Sequence, residues 1–262
     1  MQLPIYQVDA FTDKLFGGNP AAIVPLKEWL SDVLMQKIAL ENNLSETAFF
    51  VPTDNGFHIR WFTPATEVTL CGHATLATAY VIFNNLKYKA DTIIFDSKSG
   101  MLKVKRAGKL LELDFPAQSA EPVEAPAYLI KGIGKKPKEV YWAKEDYLLV
   151  YDSQADIETI MPDFGLLKKV EARGIIVTSK AKSKKLDFVC RFFGPAVGID
   201  EDPVTGSAFT KLVPYWSQQT GKTEFTAEQI SARKGNLTCK LAGERVLIAG
   251  SARLYLKGRI TV

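Results

Sequence analysis

The sequence predicts an α+β protein of two pseudo-symmetric duplicated domains, each a curved, mostly antiparallel sheet around a central apolar helix. Three observations lead there. Blocks of similar sequence recur in the same order about 130 residues apart. In each half a nearly all-apolar helical segment follows a glycine-containing turn. Short alternating strands joined by glycine turns flank that segment.

The repeat is explicit in three places. Arg60-Trp61-Phe62-Thr63-Pro64-Ala65 resembles Arg191-Phe192-Phe193-Gly194-Pro195-Ala196, at an offset of 131. Glu67 followed by Cys71-Gly72-His73-Ala74 resembles Glu201 followed by Thr205-Gly206-Ser207-Ala208, at an offset of 134. Phe95 to Leu102 resembles Ile230 to Leu237, and each is followed by a strand and an Ala-Gly turn, at Ala107-Gly108 and Ala242-Gly243. A period of this length is too long for a solenoid and reads as a duplicated domain. Upstream, Phe49-Phe50-Val51 aligns loosely with Ile175-Ile176-Val177, which places Ala172 opposite Glu46 and Glu171 beside it.

In the first half, Ile5 to Ala10 reads as a strand and Lys27 to Asn42 as a helix from the spacing of Trp29, Leu30, Val33, Leu34, Ile38 and Ala39. Ala48 to Pro52 is a short apolar strand. Asp54-Asn55-Gly56 turns it into Gly56 to Phe62. Ala74 to Phe83 is the central helix, and Thr92 to Asp96, Met101 to Arg106 and Leu110 to Phe115 are strands. The second half repeats the order around a buried helix at Ala208 to Gln219. The proline-rich stretch Pro116 to Pro126 reads as a linker. The first domain is therefore expected over 1–115 and the second over 123–252. The tail 253–262 is expected to return to complete the first sheet beside the N-terminal strand.

The composition narrows the function. Thirty-three basic and 29 acidic residues leave a net charge of +4, and the basic runs Lys131–Lys138 and Lys180–Lys185 lack interleaved aromatics. They read as solvated loops and not as a nucleic-acid surface. The three cysteines, Cys71, Cys190 and Cys239, are odd in number and widely spaced, which argues against a disulfide scaffold. With two histidines, His58 and His73, and no CxxC pair, no metal site is expected. The N-terminus lacks a secretory pattern and no apolar run approaches the roughly 18 residues of a membrane span, so a cytoplasmic protein is expected. Neither a P-loop nor a GxGxxG fingerprint occurs, and no cofactor is implied.

Chemistry concentrates at the repeat blocks. Gly72 and Gly206 stand at the predicted starts of the central helices, where unpaired N–H groups and the positive dipole end favour a carboxylate. Glu46 opens an unbroken apolar strand beside Ser45, where a carboxylate shielded from water suits general acid/base work. A cleft that keeps one such acid suggests a single group that both removes and returns a proton.

Four runs carry a family resemblance: Phe16 to Ala22 (Phe-Gly-Gly-Asn-Pro-Ala-Ala), Leu44 to Phe49 (Leu-Ser-Glu-Thr-Ala-Phe), Cys71 to Thr75 (Cys-Gly-His-Ala-Thr), and Asp200 to Ala208 (Asp-Glu-Asp-Pro-Val-Thr-Gly-Ser-Ala). Their order and spacing resemble the PhzF-like isomerases over essentially the whole chain. The resemblance implies a diaminopimelate-epimerase-like fold with an inter-domain site. In PhzF the reaction is an allylic proton shift in a dihydro-hydroxyanthranilate. It implies Glu46, His73 and Asp202 as catalytic residues, and Ser207 with Gly72, Gly206 and Ser45 as substrate-binding residues. The epimerases of this fold use two opposed cysteines. Here Cys71 matches the first, and its repeat partner is Thr205, which lacks an accessible anion at neutral pH. The expected activity is a cofactor-independent proton shift on a small carboxylate, with a homodimer as the expected assembly. The alternatives are a non-catalytic small-acid binder on the same scaffold and an amino-acid epimerase.

Overall fold

The computed structural model describes residues 1–262. In chain order the first half runs β1 (Gln2–Ala10), β2 (Asn19–Pro25), α1 (Asp32–Asn42), β3 (Glu46–Thr53), β4 (Gly56–Phe62), β5 (Glu67–Val68), α2 (Gly72–Tyr80), a π-helical turn (Val81–Asn85), β6 (Thr92–Asp96), β7 (Leu102–Ala107) and β8 (Leu110–Pro116). The second half runs β9 (Glu121–Pro122), α3 (Ala127–Ile133), β10 (Glu139–Ala143), β11 (Asp146–Val150), α4 (Gln154–Glu158), α5 (Phe164–Leu167), β12 (Gly174–Lys180), β13 (Phe188–Phe193), a 3₁₀ turn (Pro195–Val197), α6 (Gly206–Thr220), β14 (Glu224–Gln229), β15 (Gly235–Ala242) and β16 (Arg245–Gly250). A final strand, β17 (Ala252–Thr261), ends the chain. No helix is long and apolar enough to cross a membrane.

Two compact units result: Met1–Phe115 with Leu247–Val262, and Pro116–Val246. The second unit ends at Val246, earlier than Ala252. The chain has already returned by Gly250, where a Cβ would lie 2.4 Å from the Phe11 ring, and Ser251 accepts a hydrogen bond from the Thr12 N–H at 3.1 Å. β17 then pairs antiparallel with β1 along its length. The stretch 116–126 is not featureless either, since Glu121 and Pro122 pair with Trp142 and Tyr141 of β10.

Strand directions repeat between the units. In the first, β1–β2 is antiparallel, β2–β3 parallel, β3–β4 antiparallel, β4–β6 parallel and β6–β7 antiparallel. In the second, β10–β11, β11–β12, β12–β13, β13–β14 and β14–β15 follow the same alternation. Parallel pairs bury both faces, which is why β2, β3 and β12 read as nearly continuous apolar runs without alternation. The central helix of each unit is correspondingly buried. Residues 73–79 of α2 are all buried, and α2 packs on β1, β2, β3, β7 and β17. On α6, Trp216 stacks on Phe188 and donates from Nε1 to Thr178 Oγ1 at 3.1 Å.

The repeated arginine and glutamate make the same contact twice. Arg60 donates from Nε and Nη2 to the two oxygens of Glu67 at 2.8 and 2.9 Å, and Arg191 does the same to Glu201 at 2.8 and 2.9 Å. Bidentate pairing of this kind is geometrically demanding. It ties β4 and β13 to the segments that lead into the central helices. The Arg60 guanidinium holds the Glu67 carboxyl down at about 2.

The arginines also correct the sequence alignment. Arg60 lies opposite Phe49, and Arg191 lies opposite Val177. Glu46 therefore corresponds to Gly174, the first residue of β12, and not to Ala172. Two apolar triplets with no distinguishing residue had allowed a two-residue slip. At Gly174 the Phe192 ring fills the space, 2.1 Å from where a Cβ would stand. The second unit thus has no acid at that position.

One helix start differs from expectation, and a cap decides it. α1 begins at Asp32 rather than Lys27, because the Ser31 hydroxyl accepts from the Leu34 N–H. The central helices begin at Gly72 and Gly206, the expected helix starts, two residues ahead of the apolar segments that open at Ala74 and Ala208.

Candidate active site

Three elements of the first unit converge on one imidazole. Glu46 is the first residue of β3 and pairs in parallel with Ala21 of β2. Asn19 opens β2. His73 is the second residue of α2, and Cys71 is its N-cap, held extended at φ −146° with no capping bond from its side chain. All four residues are buried, Glu46 being 8% and His73 4% exposed. His73 Nε2 lies 3.0 Å from Glu46 Oε2. Its Nδ1 lies 3.2 Å from Asn19 Nδ2 and 3.5 Å from Cys71 Sγ. The Glu46–His73 contact is close but poorly angled, and neither atom has another hydrogen-bond partner. Catalytic contacts are often loose before substrate binds.

The charges follow from this arrangement. Burial opposes a charged His73, but the Cys71 sulfur and the Glu46 carboxylate outweigh it and hold the ring well above the ordinary histidine value. Burial and the same carboxylate push the Cys71 thiol up to about 11. Cys71 is therefore a neutral thiol at physiological pH.

Donor atoms of Glu46, Cys71 and His73 all lie within 4.8 Å of one another, as in a metal-binding cluster. The ring, however, stands between the sulfur and the carboxylate, with a different nitrogen toward each. One ion could engage all three only if the imidazole turned.

Asn19 is delivered by Gly18, whose φ is +62° and whose Cβ, if present, would lie 2.0 Å from the Ala10 carbonyl oxygen. That backbone atom cannot move aside without breaking the β1–β2 hairpin. Gly18→Ala is expected to cost more than about 1 kcal/mol and to displace Asn19 from His73. A denaturant midpoint together with the imidazole NMR signals of His73 checks both effects.

The second unit presents its own cluster. Asp202 is buried, and its N–H donates to the Phe192 carbonyl at 3.0 Å. Thr205 is the N-cap of α6, with Gly206 and half-buried Ser207 as the first two helical residues. Thr205 thus stands where Cys71 stands in the first unit, and Ser207 where His73 does. The Thr205 hydroxyl donates to Asp202 Oδ2 at 2.5 Å. Neither Cys71 nor Thr205 caps its helix, so the first-turn N–H groups of α2 and α6 lack the usual side-chain acceptor. Ser45 immediately precedes β3 and is half-buried. The structure therefore groups Glu46, His73, Gly72 and Ser45 in one unit, and Asp202, Gly206 and Ser207 in the other.

Sequence reasoning gave no role to Asn19 or to Gln229, which is wholly buried and bonded to both Asp202 and Thr205. The glycine pair before Asn19 was a usable signal. Nothing local distinguishes Gln229 at the end of an ordinary strand.

Comparison with known proteins agrees with this architecture. Residues 8–258 match the phenazine biosynthesis-like protein family, PhzC-PhzF. An uncharacterised isomerase of Pseudomonas aeruginosa is 52% identical, covering 99% of each chain. The crystal structure of a PhzF-family protein from Enterococcus faecalis superposes with a TM-score of 0.96 at 43% identity, covering 100% of each chain. A hydroxyproline epimerase from Agrobacterium vitis shares the fold at a TM-score of 0.65 and 10% identity, covering 99% of this chain and 92% of that one. The chain belongs to the phenazine biosynthesis-like (PhzC-PhzF) family.

Proposed function

We propose that the protein is an isomerase that moves a proton between carbons of a small carboxylate-bearing molecule without a cofactor. Glu46 is the acid/base, and His73 holds and tunes it. Asp202 is the second catalytic group. Ser207, Ser45 and the N–H groups at Gly72 and Gly206 bind the substrate carboxylate. The observation that carries this reading is the buried carboxylate of Glu46, 3.0 Å from His73 Nε2 at the start of an apolar strand. A desolvated acid beside an imidazole is suited to taking a proton from carbon and returning it. The isomerase name borne by the Pseudomonas relative is consistent with that chemistry.

An epimerase working through two thiols is disfavoured. Thr205 occupies the second cysteine's position and its hydroxyl is committed to Asp202. The test is incubation of the protein with small unsaturated and amino-acid-like carboxylates in deuterated water. The reading expects solvent deuterium at one carbon of a rearranged product. Tight binding of such acids with no exchange would make the protein a binder. Racemised product without a bond shift would make it an epimerase.

A further inference from the structure

Thr205 is an N-cap that does not cap. Threonine at this position ordinarily accepts a hydrogen bond from the N–H of the second or third helical residue. Here its hydroxyl makes no such bond and points the other way. The reason lies in the buried side chain of Gln229 at the end of β14. Gln229 Oε1 accepts from the Thr205 N–H at 2.9 Å. Its Nε2 donates to the Asp202 carbonyl at 2.7 Å and to Thr205 Oγ1 at 3.2 Å. One N–H and one carbonyl, both main-chain, fix which end of the carboxamide is oxygen, so the direction of the chain is set. Thr205 Oγ1 accepts a hydrogen bond from Gln229 Nε2 and directs its own proton elsewhere. It goes to Asp202 Oδ2 at 2.5 Å, a length typical of a hydroxyl donating to a charged oxygen. Ser231 anchors the same loop by donating from Oγ to the Pro203 carbonyl at 2.8 Å.

Resting on the isomerase reading above, we infer that Thr205 and Gln229 are positioning residues that orient Asp202 as an ionised acceptor and keep the first turn of α6 uncapped for the substrate carboxylate. The directed chain runs from Gln229 through Thr205 to Oδ2 of Asp202. The same turn of the hydroxyl leaves the first turn of α6 without its N-cap side-chain acceptor, as an anion seat requires. The arrangement also explains why a hydroxyl, and not a second thiol, stands opposite Cys71 in the repeat. A thiol is a weak donor and would hold Asp202 poorly.

The test needs no substrate. Carbon-13 NMR of the carboxyl groups, with Asp202 assigned by Asp202→Asn, follows the titration of Asp202 in the full chain. Thr205→Val removes the donor but keeps the shape, and is expected to raise the Asp202 midpoint by about one unit or more, because the charged form loses its hydrogen bond. Thr205→Ser is expected to restore it. Gln229→Met is expected to move the midpoint in the same direction as Thr205→Val, since the hydroxyl is then free to turn back and cap α6. A merely structural role would lower stability without moving the titration, and an unchanged midpoint in Thr205→Val or Gln229→Met overturns the inference. Should those variants fail to fold, the unmodified protein still decides: a slowly exchanging Thr205 hydroxyl proton is expected, and a rapidly exchanging one contradicts the directed chain. Failure of the isomerase reading would appear as absent deuterium exchange, with this titration unaffected.

Discussion

Glu46→Gln is expected to lower turnover by roughly 10²–10⁴-fold, the usual contribution of a positioned acid/base, while ligand affinity stays within about tenfold. The amide keeps the shape of the carboxylate and its place at the head of β3, but it cannot accept and return a proton. A second readout accompanies the kinetic one. Burial disfavours the His73 imidazolium, and the Glu46 carboxylate helps to outweigh that cost. Without the carboxylate, the His73 titration should fall toward or below the ordinary histidine value. The protein has only two histidines, so His58 serves as an internal reference in the imidazole spectrum. A variant with lost turnover but an unmoved His73 titration would separate Glu46 from His73 and break the proposed pair.

The largest effect on stability is expected in the second unit. Asp146, at the start of β11, is fully buried and accepts from Arg173 Nε at 3.0 Å and Nη2 at 2.5 Å. It also pairs with Lys211 of α6, which is itself fully buried. Burial lowers the Lys211 pKa, and the Asp146 charge opposes that shift. Asp146→Ala strands an ammonium in the core and is expected to cost about 3–5 kcal/mol, read as a fall in the denaturant midpoint. Lys211→Met should cost much less, because Asp146 keeps its bidentate partner Arg173. Equal losses from the two changes would mean that packing around α6, and not the uncompensated charge, sets the penalty.

Much of this architecture was legible in the repeat. Arg60 and Arg191, Glu67 and Glu201, and the Gly72 and Gly206 helix starts carry enough chemistry to be matched by eye, and each pair occupies equivalent places in the two units. Apolar triplets carry less information. Phe49-Phe50-Val51 and Ile175-Ile176-Val177 can slide past each other, and only the strand register opposite the arginines places Glu46 against Gly174. β2 escaped notice because a parallel, doubly buried strand shows no alternation. The short helices α3, α4 and α5 lack the length over which a helical period can be recognised. The candidate site divides in the same way. Glu46 and His73 were visible as types in suggestive positions, whereas Asn19 and Gln229 act only through contacts made across long stretches of chain.

The central claim is that a carboxylate, and not a thiol, carries the proton. Cys71 touches His73 at 3.5 Å, yet its thiol is pushed up to about 11 and is protonated at neutral pH. The most direct test is the rate of solvent deuterium incorporation catalysed by Cys71→Ala, measured beside Glu46→Gln on the same substrate. Incorporation by Cys71→Ala within several-fold of the unmodified protein, with Glu46→Gln silent, is the predicted result. Loss of exchange in Cys71→Ala with exchange retained in Glu46→Gln would make the thiol the proton carrier and contradict the account.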